Sequence, residues 1–141
     1  MEASRGGHLV FACGQSLYAL PAEKSAEVVS LPVLTRVPGA PAHLLGVFAH
    51  RGEVVPVVDL SVLTGGKGEP GHKRAVLMRV ARGVLAFTAT KVAGVSQVTL
   101  DEKPLGTEGV QAHLKGPVKT HAGDAAVISP EGLFDFLSGG S

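Results

Sequence analysis

The stretch Leu44-Leu45-Gly46-Val47-Phe48-Ala49-His50-Arg51-Gly52-Glu53-Val54-Val55-Pro56-Val57-Val58-Asp59-Leu60 decides the fold. Two short apolar runs, the second rich in valine, flank an Arg-Gly corner, which is how a strand, a tight turn and a second strand are written. The second run lacks polar alternation, so the residues read as a strand buried on both faces where packed layers meet, with Val54, Val55, Val57 and Val58 as its core side chains. Pro56 has no N–H to give a ladder, which places its nitrogen at a bulge or an unpaired edge. Gly52 suits a positive φ or a close backbone approach.

The same texture extends in both directions. Short apolar runs broken by Gly or Pro predict further strands at Leu9–Cys13, Leu17–Leu20, Glu27–Leu31, Gly46–Ala49, Val54–Leu60, Ala75–Ala81, Val84–Thr88, Val92–Leu100 and Ala125–Ser129. Two short helices are expected, one at Pro41–Leu45 and one at Pro130–Leu137. The second has Ser129 as N-cap, Pro130 in the first helical position and an apolar stripe of Leu133, Phe134 and Leu137. Residues 65–71, rich in glycine, read as a surface loop between the two halves, the tail after Leu137 as frayed, and no internal repeat is evident. The fold class is all-β.

Composition removes several functions. The 141 residues suffice for one domain with a real core, so neither disulfide nor metal is required. Thirteen Lys and Arg balance twelve Asp and Glu, leaving no field to draw nucleic acid, an anionic membrane or an acidic substrate. Cys13 is the only cysteine, which excludes an internal disulfide and fits a reducing compartment. In its core strand it reads as a small apolar side chain rather than a nucleophile. No run has signal-peptide or membrane-span length, so the expectation is a cytoplasmic protein without membrane insertion.

The motifs of catalysis are missing. Residues 66–71 match G-x-G-x-x-G, yet a strand and not a helix follows, so no phosphate cradle forms. His8, His43, His50, His72, His113 and His121 show neither metal spacing nor a cysteine partner, and no metal or cofactor is expected. Ser96 lacks the second glycine of a nucleophile elbow and reads as a strand serine. A small barrel that binds nucleic acid is the distant alternative; with 4% aromatic residues and balanced charge it lacks the stacking platform and basic groove that binding requires.

The Leu44–Leu60 stretch resembles the signature of the chemotaxis coupling proteins, the CheW-like family, which reads G-V-x-N-L-R-G-x-V-x-P-V-x-D-L, with glycines, arginine, proline and aspartate in register. Leu9-Val10-Phe11, Tyr18-Ala19-Leu20-Pro21, Glu27-Val28 and Thr35-Arg36-Val37-Pro38 resemble the family upstream, as do Val92-Ala93-Gly94-Val95 and the Gly123-to-Phe134 stretch downstream. The resemblance implies one coupling domain over residues 1–141, ordered from about 8 to 138, made of two intertwined five-stranded SH3/OB-like barrels around a shared core. It also implies a non-catalytic adaptor that binds the cytoplasmic tip of a methyl-accepting chemoreceptor in the groove between barrels, and the regulatory domain of a histidine kinase.

By the same resemblance the receptor groove is formed by Ser25, Glu27, Ala49, His50, Arg51 and Gly52, with Arg51 paired to Glu27 at its floor. If that pair is partly buried, removing one partner costs about 3–5 kcal/mol, which gives Arg51 a scaffold role ahead of a contact role. The chain departs from the family pattern at Ser25 (usually apolar), at Ala49-His50 (usually Asn-Leu) and at Lys91 (commonly Asp). These departures motivate a second reading, a coupling protein that binds receptors without engaging the kinase. His50 reads as a partly exposed polar substitution, although a histidine of ordinary pKa would give binding a mild pH dependence.

Overall fold

The structure is a computed structural model that describes residues 5–22, 27–68, 73–99 and 103–139. Ten strands run along the chain: β1 (Arg5–Cys13), β2 (Ser16–Pro21), β3 (Glu27–Ser30), β4 (Leu44–His50), β5 (Glu53–Val58), β6 (Arg74–Val80), β7 (Gly83–Ala89), β8 (Lys91–Thr99), β9 (Leu114–Thr120) and β10 (Gly123–Ile128). Helix α1 (Leu60–Leu63) follows β5 and α2 (Pro130–Leu137) follows β10. The strands form two five-stranded sheets, ordered β8-β1-β2-β10-β9 and β3-β6-β7-β5-β4. Each sheet therefore takes strands from both halves of the chain.

Both sheets curl until their edges meet. Thr35 and Val47 exchange two backbone hydrogen bonds of 2.9 Å, joining the segment after β3 to β4. In the other sheet the His121 ring Nε2 lies 2.7 Å from the Ala93 carbonyl, and the His121 backbone N–H donates to Ser96 Oγ at 3.3 Å, tying the β9 end to β8.

Burial explains the valine runs. Val10, Ala19, Val98, Val118, Ala125 and Val127 fill one barrel, while Phe48, Val55, Val57, Ala75, Leu77, Val84 and Ala86 fill the other. Between them lies a shared core built on Leu9, Phe11, Tyr18, Leu20, Val76, Met78, Leu85 and Phe87, joined by Leu60 and Leu133 of the helices. In β1, β2, β6 and β7, alternate residues face a barrel interior and the shared core, so these strands are apolar on both faces. That is the position expected of β5, but β5 lies one strand further out. Its Val55, Val57 and Val58 are buried, whereas Val54 points outward and is 68% exposed, which corrects its assignment to the core. The parallel ladder from β5 to β7 holds only Val57 and Val58, beginning just past Pro56.

Other expectations are corrected as well. No helix forms at Pro41–Leu45: Ala42 and His43 make a turn and Leu44 enters β4. The expected strand Val54–Leu60 stops at Val58, and Leu60 instead starts α1, capped by Asp59, whose carboxylate accepts from the Ser61 and Val62 N–H groups. β9 was not expected from the sequence. Helix α2 lies where expected, with Ser129 as N-cap, although the Ser129 side chain makes no capping bond. Of the predicted interhalf loop, residues 65–68 are exposed as expected, and residues 69–71 lie outside the described residues.

The expected absence of a repeat also fails. Each half consists of a hairpin, a single strand, a second hairpin and a helix, and the two sheets have the same strand order with one parallel contact at the same place. Equivalent residues recur at constant spacing. Asp59 N–H donates to the His43 carbonyl and Ser129 N–H to the His113 carbonyl, while Leu44 N–H donates to Pro41 and Leu114 N–H to Gln111. The sequence trace is faint: Ala42-His43-Leu44-Leu45-Gly46 against Ala112-His113-Leu114-Lys115-Gly116.

Candidate functional site

The β4–β5 hairpin turns on Arg51 and Gly52, both at positive φ (50° and 81°), the backbone pattern of a two-residue hairpin whose twist matches its strands. A Cβ on Gly52 would meet nothing within 4 Å, so backbone conformation and not crowding calls for glycine there. Arg51 is the only non-glycine residue at positive φ among the described residues, and its cost of order 1–3 kcal/mol marks a position held by its surroundings.

From this turn the Arg51 guanidinium reaches Glu27 Oε2 on β3 at 3.1 Å. The His50 ring Nε2 stands 3.4 Å from the same oxygen and makes no hydrogen bond to it. The expected Glu27–Arg51 pair is thus present, but the Arg51 side chain is 73% exposed and that of Glu27 32%. A pair this open contributes about 0–1 kcal/mol, not the several kcal/mol of a buried one. The condition for a scaffold cost of several kcal/mol, a pair withdrawn from water on both sides, is therefore not met at Arg51, although Glu27 is half-buried. Ala49 and Gly52 are exposed beside it, and Lys91 is exposed on β8. Ser25 lies outside the described residues.

The sequence gives no sign of the second ion pair at this rim. Glu53, paired across the hairpin with His50, receives two hydrogen bonds from the Arg79 guanidinium, at 2.7 and 3.0 Å. These bonds, reinforced by the Arg79 charge, hold the Glu53 carboxyl below its ordinary pKa. A carboxylate with a depressed folded-state pKa stabilises the fold above its unfolded value and loses that contribution as pH falls through the folded one. Glu53→Gln is therefore expected to melt slightly below the wild type at neutral pH and together with it in acid. Thermal melts across that range check the convergence, and a difference that grows in acid contradicts it.

A buried polar knot joins β1 to the start of α1, past the end of β5 opposite the Arg51 turn. The Cys13 thiol lies 3.4 Å from Asp59 Oδ1 and 3.3 Å from Ser61 Oγ, and Ser61 Oγ donates to the Cys13 carbonyl at 3.2 Å. Burial pushes the thiol above its usual pKa, outweighing the Ser61 hydrogen bonds that lower it. With 1% exposure and little thiolate, Cys13 is expected to react with a thiol reagent at least a hundredfold (~10²) more slowly in the native protein than in denaturant. Comparable labelling rates in the two states contradict the placement. Among the described residues no His, Cys, Asp and Glu side chains gather to hold a metal, and no helix is long and apolar enough to cross a membrane.

The family model of the CheW-like domain matches residues 7–137. Protein FrzA of Myxococcus xanthus is 30% identical over 122 residues, covering 83% of this chain and 76% of that protein. Chemotaxis protein CheW of Helicobacter pylori is 32% identical over 99 residues, covering 67% of this chain and 60% of that one. The scaffolding protein TtCheW of Thermoanaerobacter tengcongensis superposes with a TM-score of 0.70 at 24% identity, over 90% of this chain and 86% of that chain, a likeness of fold.

Proposed function

Because this chain belongs to the CheW-like domain family of chemotaxis scaffold proteins, we propose that it is a non-catalytic adaptor of the cytoplasm. Its single coupling domain docks a chemoreceptor tip beside Glu27, His50 and Arg51 and passes the signal to a histidine kinase through that kinase's regulatory domain. The observation that carries the reading is the Arg51 corner: a strained turn aims a guanidinium at solvent while Glu27 fixes its inner edge. A rigidly presented cation surrounded by the small exposed residues Ala49 and Gly52 suits a protein partner, because little side-chain freedom is lost on binding. Weak contacts suffice for an assembly of many copies; a micromolar contact corresponds to about −8 kcal/mol.

The reading is tested by measuring binding of the purified chain to a chemoreceptor cytoplasmic hairpin and, separately, to a kinase regulatory domain. Saturable binding to both is expected, and binding to neither rejects the proposal. Exposed Lys91 and Ala49, with His50, where the family carries Asp and Asn-Leu, favour one alternative: a coupling protein that binds receptors and not the kinase. Binding to the receptor hairpin alone establishes that alternative.

A further inference from the structure

The connection from Thr64 to Lys73 is the single covalent link between the halves, and every sheet pairs strands across it: β1 and β2 with β8–β10, β6 and β7 with β3–β5. The contacts that hold the halves together are therefore the ladders β1·β8, β2·β10, β3·β6 and β5·β7, together with the shared core.

We propose that two copies of this chain exchange halves, forming a reciprocal dimer in which the first half of each completes the second half of the other. Every ladder and core contact of the monomer is remade in such a dimer, so the two forms differ only in the connection and in the entropy of association. Gly65, Gly66, Lys67 and Gly68 are exposed, and only the first two are hydrogen-bonded to α1, Gly65 N–H to Val62 O at 3.0 Å and Gly66 N–H to Ser61 O at 2.7 Å. The exchange also rebuilds the candidate site from two chains, because Glu27, His50, Arg51 and Glu53 come from one half and Arg79 from the other. An exchanged dimer carries two such sites, which makes it a bivalent scaffold.

The Glu53–Arg79 pair supplies a test that a surface dimer does not pass. Glu53→Arg and Arg79→Glu are prepared as separate full-length variants, so that each monomer holds two like charges at the contact. In an exchanged mixed dimer, one unit joins the two substituted residues as a reversed pair and the other unit joins the two native ones. The variants are unfolded, mixed and refolded at high concentration, and the dimers are counted by native mass spectrometry. The expected result is severalfold enrichment of the mixed dimer over its statistical share, with dissociation on dilution far slower than for a surface contact.

Deleting residues 65–68 from the wild type is expected to raise the dimer fraction, because a shorter link closes back on its own chain less easily. If that variant does not fold, the charge-reversal mixture alone decides. Statistical mixing, dimers that fall apart at once on dilution, or monomers only at every concentration overturns the proposal.

Discussion

Gly46→Ala is expected to cost about 3 kcal/mol or more, enough to remove a large part of a typical domain's stability. Gly46 sits at the bulge in the β4–β5 ladder with φ 151°, and an added Cβ would stand 2.7 Å from the Thr35 carbonyl oxygen and 2.9 Å from Leu34 Cβ. Neither atom is the free end of a flexible side chain. Thr35 also carries the two hydrogen bonds that close this barrel, so relieving the clash means opening the seam. Gly52→Ala is the control: its φ is also positive but its Cβ position is empty, and about 1 kcal/mol is expected from backbone strain alone. Urea denaturation of both variants makes the comparison. A Gly46→Ala loss no larger than that of Gly52→Ala contradicts the crowding argument.

Phe87→Ala is expected to cost about 3–5 kcal/mol, the range for emptying an aromatic site in a core that cannot collapse. The Phe87 ring stacks on Phe11 at 6.1 Å between centroids, and Phe11 contacts Tyr18 at 5.9 Å, so one substitution cuts an aromatic ladder that runs between the sheets. The cooperative outcome matters as much as the size. Because Phe87 belongs to the shared core and not to a barrel interior, the variant should still unfold in a single transition, with the denaturant slope unchanged. Calorimetry and circular dichroism check it. Two separated transitions would mean that each barrel stands without the other.

Much of this fold was legible in the sequence, because strand residues are chosen by the surfaces they cover. β1, β2, β6 and β7 read as apolar runs since both of their faces are buried. α2 read as a helix through Pro130 and the Leu133 stripe. Val54 was misplaced because an outward valine in a valine run leaves no mark in composition. β9 was missed because Lys115, Gly116, Pro117 and Lys119 break the apolar pattern, although Leu114 and Val118 are both buried. The expected helix at Pro41–Leu45 gave way because Leu44 pairs with Val58 across the bulge, a long-range contact that local propensity cannot foresee. The repeat escaped detection because equivalent positions keep burial and backbone hydrogen bonding but not chemistry: Asp59 and Ser129 occupy the two N-cap positions, only Asp59 with a capping side chain, and Phe48 and Val118 fill the two barrels.

At the candidate site, the Arg51–Gly52 turn and Glu27 were readable through the family resemblance. The exposure of their pair was not, since spacing fixes who meets and not how much water reaches them. The Glu53–Arg79 pair joins residues of different halves, brought together by the exchange of strands alone.

The most direct measurement is the affinity of Arg51→Ala for a chemoreceptor cytoplasmic hairpin, taken beside its thermal melt. Stability within about 1 kcal/mol of the wild type is expected, as for any exposed pair, together with at least tenfold weaker binding, about 1.4 kcal/mol. Undiminished affinity in a folded variant would show that the partner docks elsewhere, and the account of this site would be wrong.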